Sequence, residues 1–279
     1  MDLQFEEIDG LQIRFAHHSV GAQENVLLLG PLPESILAFT PVWDRLAADF
    51  DLLAIDLPGF GHSAGRSDLS GCETMAAFVN KVLDHFSFAT PHIIGPDIGT
   101  PIALFMAAQF PERVKSLIVS GGACVYPLEV GPFIGGLIAA PDLSGFKGVA
   151  AKDAVTSSLS TLKNYQVPEA ILADYTASYE GEGRLLSAFQ FLKNYVLDLP
   201  VLDRLLDGIR SPVKIIWGRN DAVAPVRNAE ILHKRLPNSE LSIIDGGVHY
   251  VWEDNSAEYL ALLLDWLNGG YLKFSPVAG

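Results

Sequence analysis

The chain has 279 residues, 49% of them hydrophobic, so it can bury one large core, and a single α/β domain with an insertion suits it better than two independent domains. A net charge of −14 with no visible basic patch argues against nucleic acid or anionic membrane as partner and favours a small neutral substrate. Cys72 and Cys124 are too few for a disulfide framework and read as buried free thiols, and the acidic start Met1-Asp2-Leu3-Gln4-Phe5-Glu6-Glu7 has no apolar signal core; a cytoplasmic protein without a membrane span is expected.

In chain order, 11–15 and 25–30 are predicted strands, 41–49 a helix with Thr40 as its N-cap, 50–55 a strand and 73–86 an amphipathic helix. The run Pro91-His92-Ile93-Ile94 reads as a strand ending in Gly95-Pro96-Asp97-Ile98-Gly99; residues 100–110 follow as a helix closed by Pro111, then 114–120 as a strand. This βαβ rhythm implies a mostly parallel sheet with right-handed crossovers. From 123 to 210 the pattern changes to glycine, proline and helix-like apolar stretches, with short helices expected at 170–179 and 184–195 and a return segment at 200–209. Strands at 213–218 and 241–244 and helices at 229–235 and 257–267 complete the chain. The expected division is an α/β core of residues 1–122 and 211–279, interrupted by a helical cap at 123–210. Such a cap would lie over the carboxyl ends of the strands, where open α/β sheets place ligands.

The turn Gly95-Pro96-Asp97-Ile98-Gly99 has the form of a nucleophile elbow with aspartate where serine is usual. A nucleophile at such a corner adopts a strained backbone, and small flanking residues avoid the resulting clashes; Gly95 and Gly99 supply them. The residue type sets the chemistry. A carboxylate attacks an alkyl carbon, as in an epoxide or alkyl halide, and leaves an ester that water must cleave. Two later strand ends carry Asp221, in Trp217-Gly218-Arg219-Asn220-Asp221, and His249, in Gly246-Gly247-Val248-His249. Simpler readings exist for each: a turn or N-cap aspartate, an Asx-turn aspartate and a buried loop histidine. Glu129 is a rival acid. His17 and His18 are not spaced for a common metal, and Trp43 and Trp252 read as apolar wall or core.

Asp97, Asp221 and His249 stand in the order nucleophile, acid, histidine, each at a strand's carboxyl end, and with them the chain resembles the α/β-hydrolase superfamily over nearly its whole length. Asp56-Leu57-Pro58-Gly59-Phe60-Gly61-His62-Ser63 and Leu32-Pro33-Glu34-Ser35 look like that superfamily's turns after its fourth and third strands. The aspartate elbow is similar to the branch of epoxide hydrolases and dehalogenases. The resemblance implies a triad of Asp97, His249 and Asp221, an oxyanion hole from the N–H groups of Ile98 and Leu32, a small-molecule substrate, and no cofactor or metal. It also implies a cap tyrosine that hydrogen-bonds an epoxide oxygen. Leu192 occupies that tyrosine's place, and Tyr195, about one helical turn further on, is the substitute expected, with Tyr126, Tyr165, Tyr175 and Tyr179 as others. Further departures are Gly30-Pro31 where His-Gly is usual, Pro96 where histidine is usual, and Ile98 where dehalogenases carry tryptophan or arginine. Residues 123–210 contain no tryptophan to hold a halide. Epoxide hydrolysis is therefore the expected activity, with dehalogenation second and a ligand-binding relative without turnover third.

Overall fold

A computed structural model describes residues 1–274. An eight-stranded sheet runs in the order β1-β2-β4-β3-β5-β6-β7-β8. Strands β3 (Asn25–Leu29), β4 (Asp51–Ile55), β5 (His92–Pro96), β6 (Ser116–Ser120), β7 (Val213–Gly218) and β8 (Ser239–Ile244) are parallel, while β1 (Gln4–Ile8) and β2 (Leu11–His18) add an antiparallel hairpin at one edge. β5 and β6 are buried at every position, which is why they read as unbroken apolar runs.

β1 is missing from the strands expected above. Only Ile8 of its five residues is buried, so its sequence has little apolar alternation. The signal that does mark it is Asp9-Gly10, whose positive φ values of 52° and 77° form the tight turn into β2.

The helices α1 (Thr40–Ala47), α2 (Cys72–His85) and α3 (Gly99–Gln109) follow β3, β4 and β5. Thr40 is not the N-cap of α1 but its first residue. A 3₁₀ turn, Ile36–Phe39, runs directly into the helix and is itself capped by Ser35, whose hydroxyl accepts from the Leu37 N–H. α3 is buried on all sides from Gly99 to Ala107, as a helix apolar all round must be.

Five helices lie between β6 and β7: α4 (Pro132–Ala139), α5 (Ala151–Leu159), α6 (Glu169–Ser178), α7 (Arg184–Lys193) and α8 (Tyr195–Leu205). α4 and α5 carry glycines or polar residues that hid them. The helix expected at 184–195 breaks at Asn194, and the return segment at 200–209 belongs largely to α8, with Pro200 inside it. Leu199 and Leu202 beside that proline are fully buried, so packing overrides its local cost. Charged side chains fasten these helices to the sheet's loops. Asp198 of α8 accepts from the Cys72 N–H at the start of α2 (2.8 Å), and Asp174 of α6 pairs with Arg14 of β2 (2.6 Å) and accepts from Ser35 (2.7 Å). Arg14 also meets the fully buried Asp56 at 2.5 Å. After β7 come α9 (Arg227–Arg235), β8, a short helix α10 (Val251–Asp254) and α11 (Ser256–Leu267).

Candidate active site

Asp97 sits where β5 turns into α3, with φ of +50°, one of three non-glycine residues in the left-handed region among the described residues. That conformation is strained for an L residue, and it falls just beyond the carboxyl end of β5, an interior strand. The corner requires glycine at position 95: a Cβ there would stand 2.5 Å from the Gly99 carbonyl oxygen. Gly99 is less constrained, its added Cβ falling 3.2 Å from Leu29 Cβ. The Asp97 N–H donates to the Ser120 carbonyl at 2.7 Å, locking the elbow to β6.

Three loops converge on the carboxylate. The Leu32 N–H, from the segment after β3, donates to Asp97 Oδ2 at 2.9 Å. His249 Nε2 lies 3.5 Å from Asp97 Oδ1, and its Nδ1 lies 3.0 Å from Asp221 Oδ2. Asp221 is also an Asx-turn residue, since its Oδ1 accepts from the Val223 and Ala224 N–H groups, both at 2.8 Å. The turn fixes one oxygen and leaves the other for the imidazole. Glu129, the rival acid, offers only its backbone carbonyl, which accepts from Asn228. Pro31 carries no N–H, but the donor at Asp97 is Leu32, so that departure costs nothing here. Ile98, fully buried, is the N-cap residue of α3.

The electrostatics favour a charged histidine. Burial alone would lower the His249 pKa, but Asp221 and then Asp97 outweigh it and raise it to about 10. The imidazolium lies between two carboxylates, donating toward each. In Asp97→Asn one of those carboxylates is gone, so the His249 ring should titrate below its wild-type value; proton NMR of the ring read against pH checks this. An unchanged midpoint would mean that Asp97 does not act on His249.

Among the tyrosines, Tyr126 is 50% exposed, the Tyr175 hydroxyl is committed to Glu253 at 2.9 Å, and the Tyr179 hydroxyl donates to the Glu34 carbonyl at 3.5 Å. Tyr165 is partly buried, and its pKa is raised by burial, then by Glu253 and Glu34. Tyr195, at the start of α8, is 1% exposed, and its hydroxyl has no protein hydrogen bond among the described residues. Burial first, with Asp97 among the lesser causes, pushes its phenol well above the ordinary value, so it stays protonated. Phe191 packs against it with ring centroids 6.0 Å apart. Trp252 is not merely wall. Its indole N–H donates to Glu34 Oε1 at 2.9 Å, and neither partner was singled out for this from the sequence.

A mostly parallel sheet with an elbow residue, an acid and a histidine beyond the carboxyl ends of β5, β7 and β8 defines an α/β-hydrolase. The alpha/beta hydrolase fold family matches residues 24–256, and the chain belongs to it. A 2-hydroxy-6-oxononadienedioate/2-hydroxy-6-oxononatrienedioate hydrolase of Paraburkholderia phymatum is 26% identical, covering 92% of this chain and 92% of its own. Two solved structures share the fold: Cfl2 of Burkholderia cenocepacia (TM-score 0.83, 19% identity, 95% of both chains) and the epoxide hydrolase CorEH (TM-score 0.81, 20% identity, 96% of this chain and 98% of that one). Among the described residues no helix is long and apolar enough to cross a membrane, and no cluster of His, Cys, Asp or Glu could hold a metal.

Proposed function

We propose that the protein is a hydrolase that works through an alkyl ester on Asp97, opening an epoxide in a small neutral substrate. The observation that carries this reading is a carboxylate, not a hydroxyl, at the strained elbow, 2.9 Å from a backbone N–H and 3.5 Å from His249.

In the first step an Asp97 carboxylate oxygen attacks a ring carbon, the carbon–oxygen bond of the epoxide breaks, and the released alkoxide takes a proton. Tyr195 is the donor, since its hydroxyl is protonated and uncommitted. The Leu32 N–H, at 2.9 Å, and the N-terminal end of α3 hold the Asp97 side chain in place for the attack. Esterification then removes the Asp97 charge, and with it one of the two influences that hold the proton on His249. The imidazole loses that proton, which solvent relays to the Tyr195 phenolate to restore its hydroxyl, and becomes the base for the second step. Water deprotonated by His249 adds to the ester carbonyl, the N–H groups of Ile98 and Leu32 take up the developing oxyanion, and collapse releases a diol and restores Asp97. Asp221 orients the ring and balances its charge throughout. Residues 123–210 form the cap that closes over this chemistry and contributes Tyr195. No step calls for a cofactor.

Dehalogenation is the second reading. It uses the same ester but needs donors for the departing halide, and the fully buried Ile98 stands where those enzymes place one. Tyr195→Phe separates the two: removing only the hydroxyl should slow epoxide opening by roughly 10²-fold or more. Steady-state rates on an epoxide panel check this. Unchanged rates would take Tyr195 out of the reaction.

A further inference from the structure

Glu34 and Glu253 are both buried, at 0% and 1% exposure, and face each other between the Leu32 segment and α10. Each gives one oxygen to a fixed donor. Trp252 Nε1–H bonds to Glu34 Oε1, and the Tyr175 hydroxyl bonds to Glu253 Oε1, both at 2.9 Å. The second oxygen of each, Oε2, is walled off from solvent with no donor. Neither forms a salt bridge with lysine or arginine among the described residues. The groups that act on the pair, or feel it, are acidic or phenolic: Asp97, Asp254, Tyr165, Tyr175 and Tyr250.

Two ionised carboxylates so placed would repel each other, and each would keep a desolvated oxygen unsatisfied. One proton between the two Oε2 atoms resolves both problems. Because both tied oxygens accept a hydrogen bond, only Oε2 is left to carry it. We propose that Glu34 and Glu253 share one proton and that this carboxyl pair positions the Leu32 N–H against Asp97.

Burial is the first cause that raises both groups, and the proton belongs to the pair and not to either carboxyl alone. Glu34 lies two residues from Leu32, its backbone carbonyl accepts from Tyr179, and the next residue, Ser35, bonds Asp174 of α6. Trp252 and Glu253 belong to α10, directly after His249. The shared proton thus ties together the segments that carry Leu32, His249 and α6. Losing it to solvent at alkaline pH leaves two adjacent buried anions; they separate and draw Leu32 with them, giving turnover an alkaline limb.

This deepens the proposed reaction, because Asp97 is the group that Leu32 serves, yet its test needs no substrate. The full chain is labelled with carbon-13 at glutamate carboxyls and nitrogen-15 at leucine amides, then titrated by NMR. One glutamate carboxyl should titrate well above the ordinary value of about 4.3, and the Leu32 amide should shift with the same midpoint. Both features should vanish in Glu34→Gln and in Glu253→Gln, where a permanent N–H replaces the shared proton, and the alkaline limb of turnover should vanish with them. If one variant fails to fold, the other carries the same readouts. Both glutamates titrating in the ordinary range would overturn the shared proton, and a Leu32 shift that persists in the glutamine variants would overturn the positioning. A protein that shows the shared proton but opens no epoxide would leave this inference standing and remove the reaction proposed above.

Discussion

His249→Gln should turn the enzyme into a reagent used once: product, or the ester that precedes it, stops at about one equivalent per Asp97. The reason is the division of labour between the steps. Attack by Asp97 needs the carboxylate, the Leu32 N–H and a proton donor for the alkoxide, all of which survive the substitution. Hydrolysis needs a base beside the ester, and glutamine cannot take a proton. Multiple turnover should fall by about 10²–10⁴-fold, the usual contribution of a positioned general base. Intact mass spectrometry after mixing with excess substrate should show a protein heavier by one substrate. Full turnover in this variant would show that another base operates.

Asp97→Asn should abolish both steps. An amide keeps the shape and can still accept from the Leu32 N–H, so the elbow should stay folded, but it offers no charged oxygen to carbon. The expected loss is on the order of 10⁴-fold or more, with no adduct on mixing with substrate. Two controls come from geometry already described: the His249 ring should titrate lower in this variant, and its melting should remain cooperative. Residual turnover within about tenfold of wild type would mean that Asp97 only orients something else.

Local chemistry made the elbow legible. Gly95-Pro96-Asp97-Ile98-Gly99 sets small residues around an aspartate directly after an apolar strand, and Asp221 and His249 follow later apolar strands in the order nucleophile, acid, histidine, which together say more than any one motif. The structure brings Asp97 and Asp221 to within 3.5 and 3.0 Å of His249, with the Leu32 N–H on Asp97. Local propensity failed where distant residues decide the outcome. β1 exists because its backbone pairs with β2, although most of its side chains face water. Pro200 sits inside α8 because Leu199 and Leu202 are buried there. The contacts that seat the inserted helices, Arg14 with Asp174 and Asp198 with the Cys72 N–H, join residues 160 and 126 positions apart, and the Trp252 to Glu34 bond spans 218. No pattern within a window shows such pairs. Trp252 and Glu34 therefore read as wall and loop until the fold placed one against the other.

The most direct measurement is one turnover, with enzyme in excess over epoxide, in oxygen-18 water. If carbon is attacked by the Asp97 carboxylate, the first diol carries an unlabelled oxygen from the protein, and the label appears in the peptide that contains Asp97, because water enters only at the ester carbonyl. Mass spectrometry of product and peptide reads both at once. Label in the first-turnover diol with none on Asp97 would mean that water attacks the substrate directly, contradicting an ester on this aspartate.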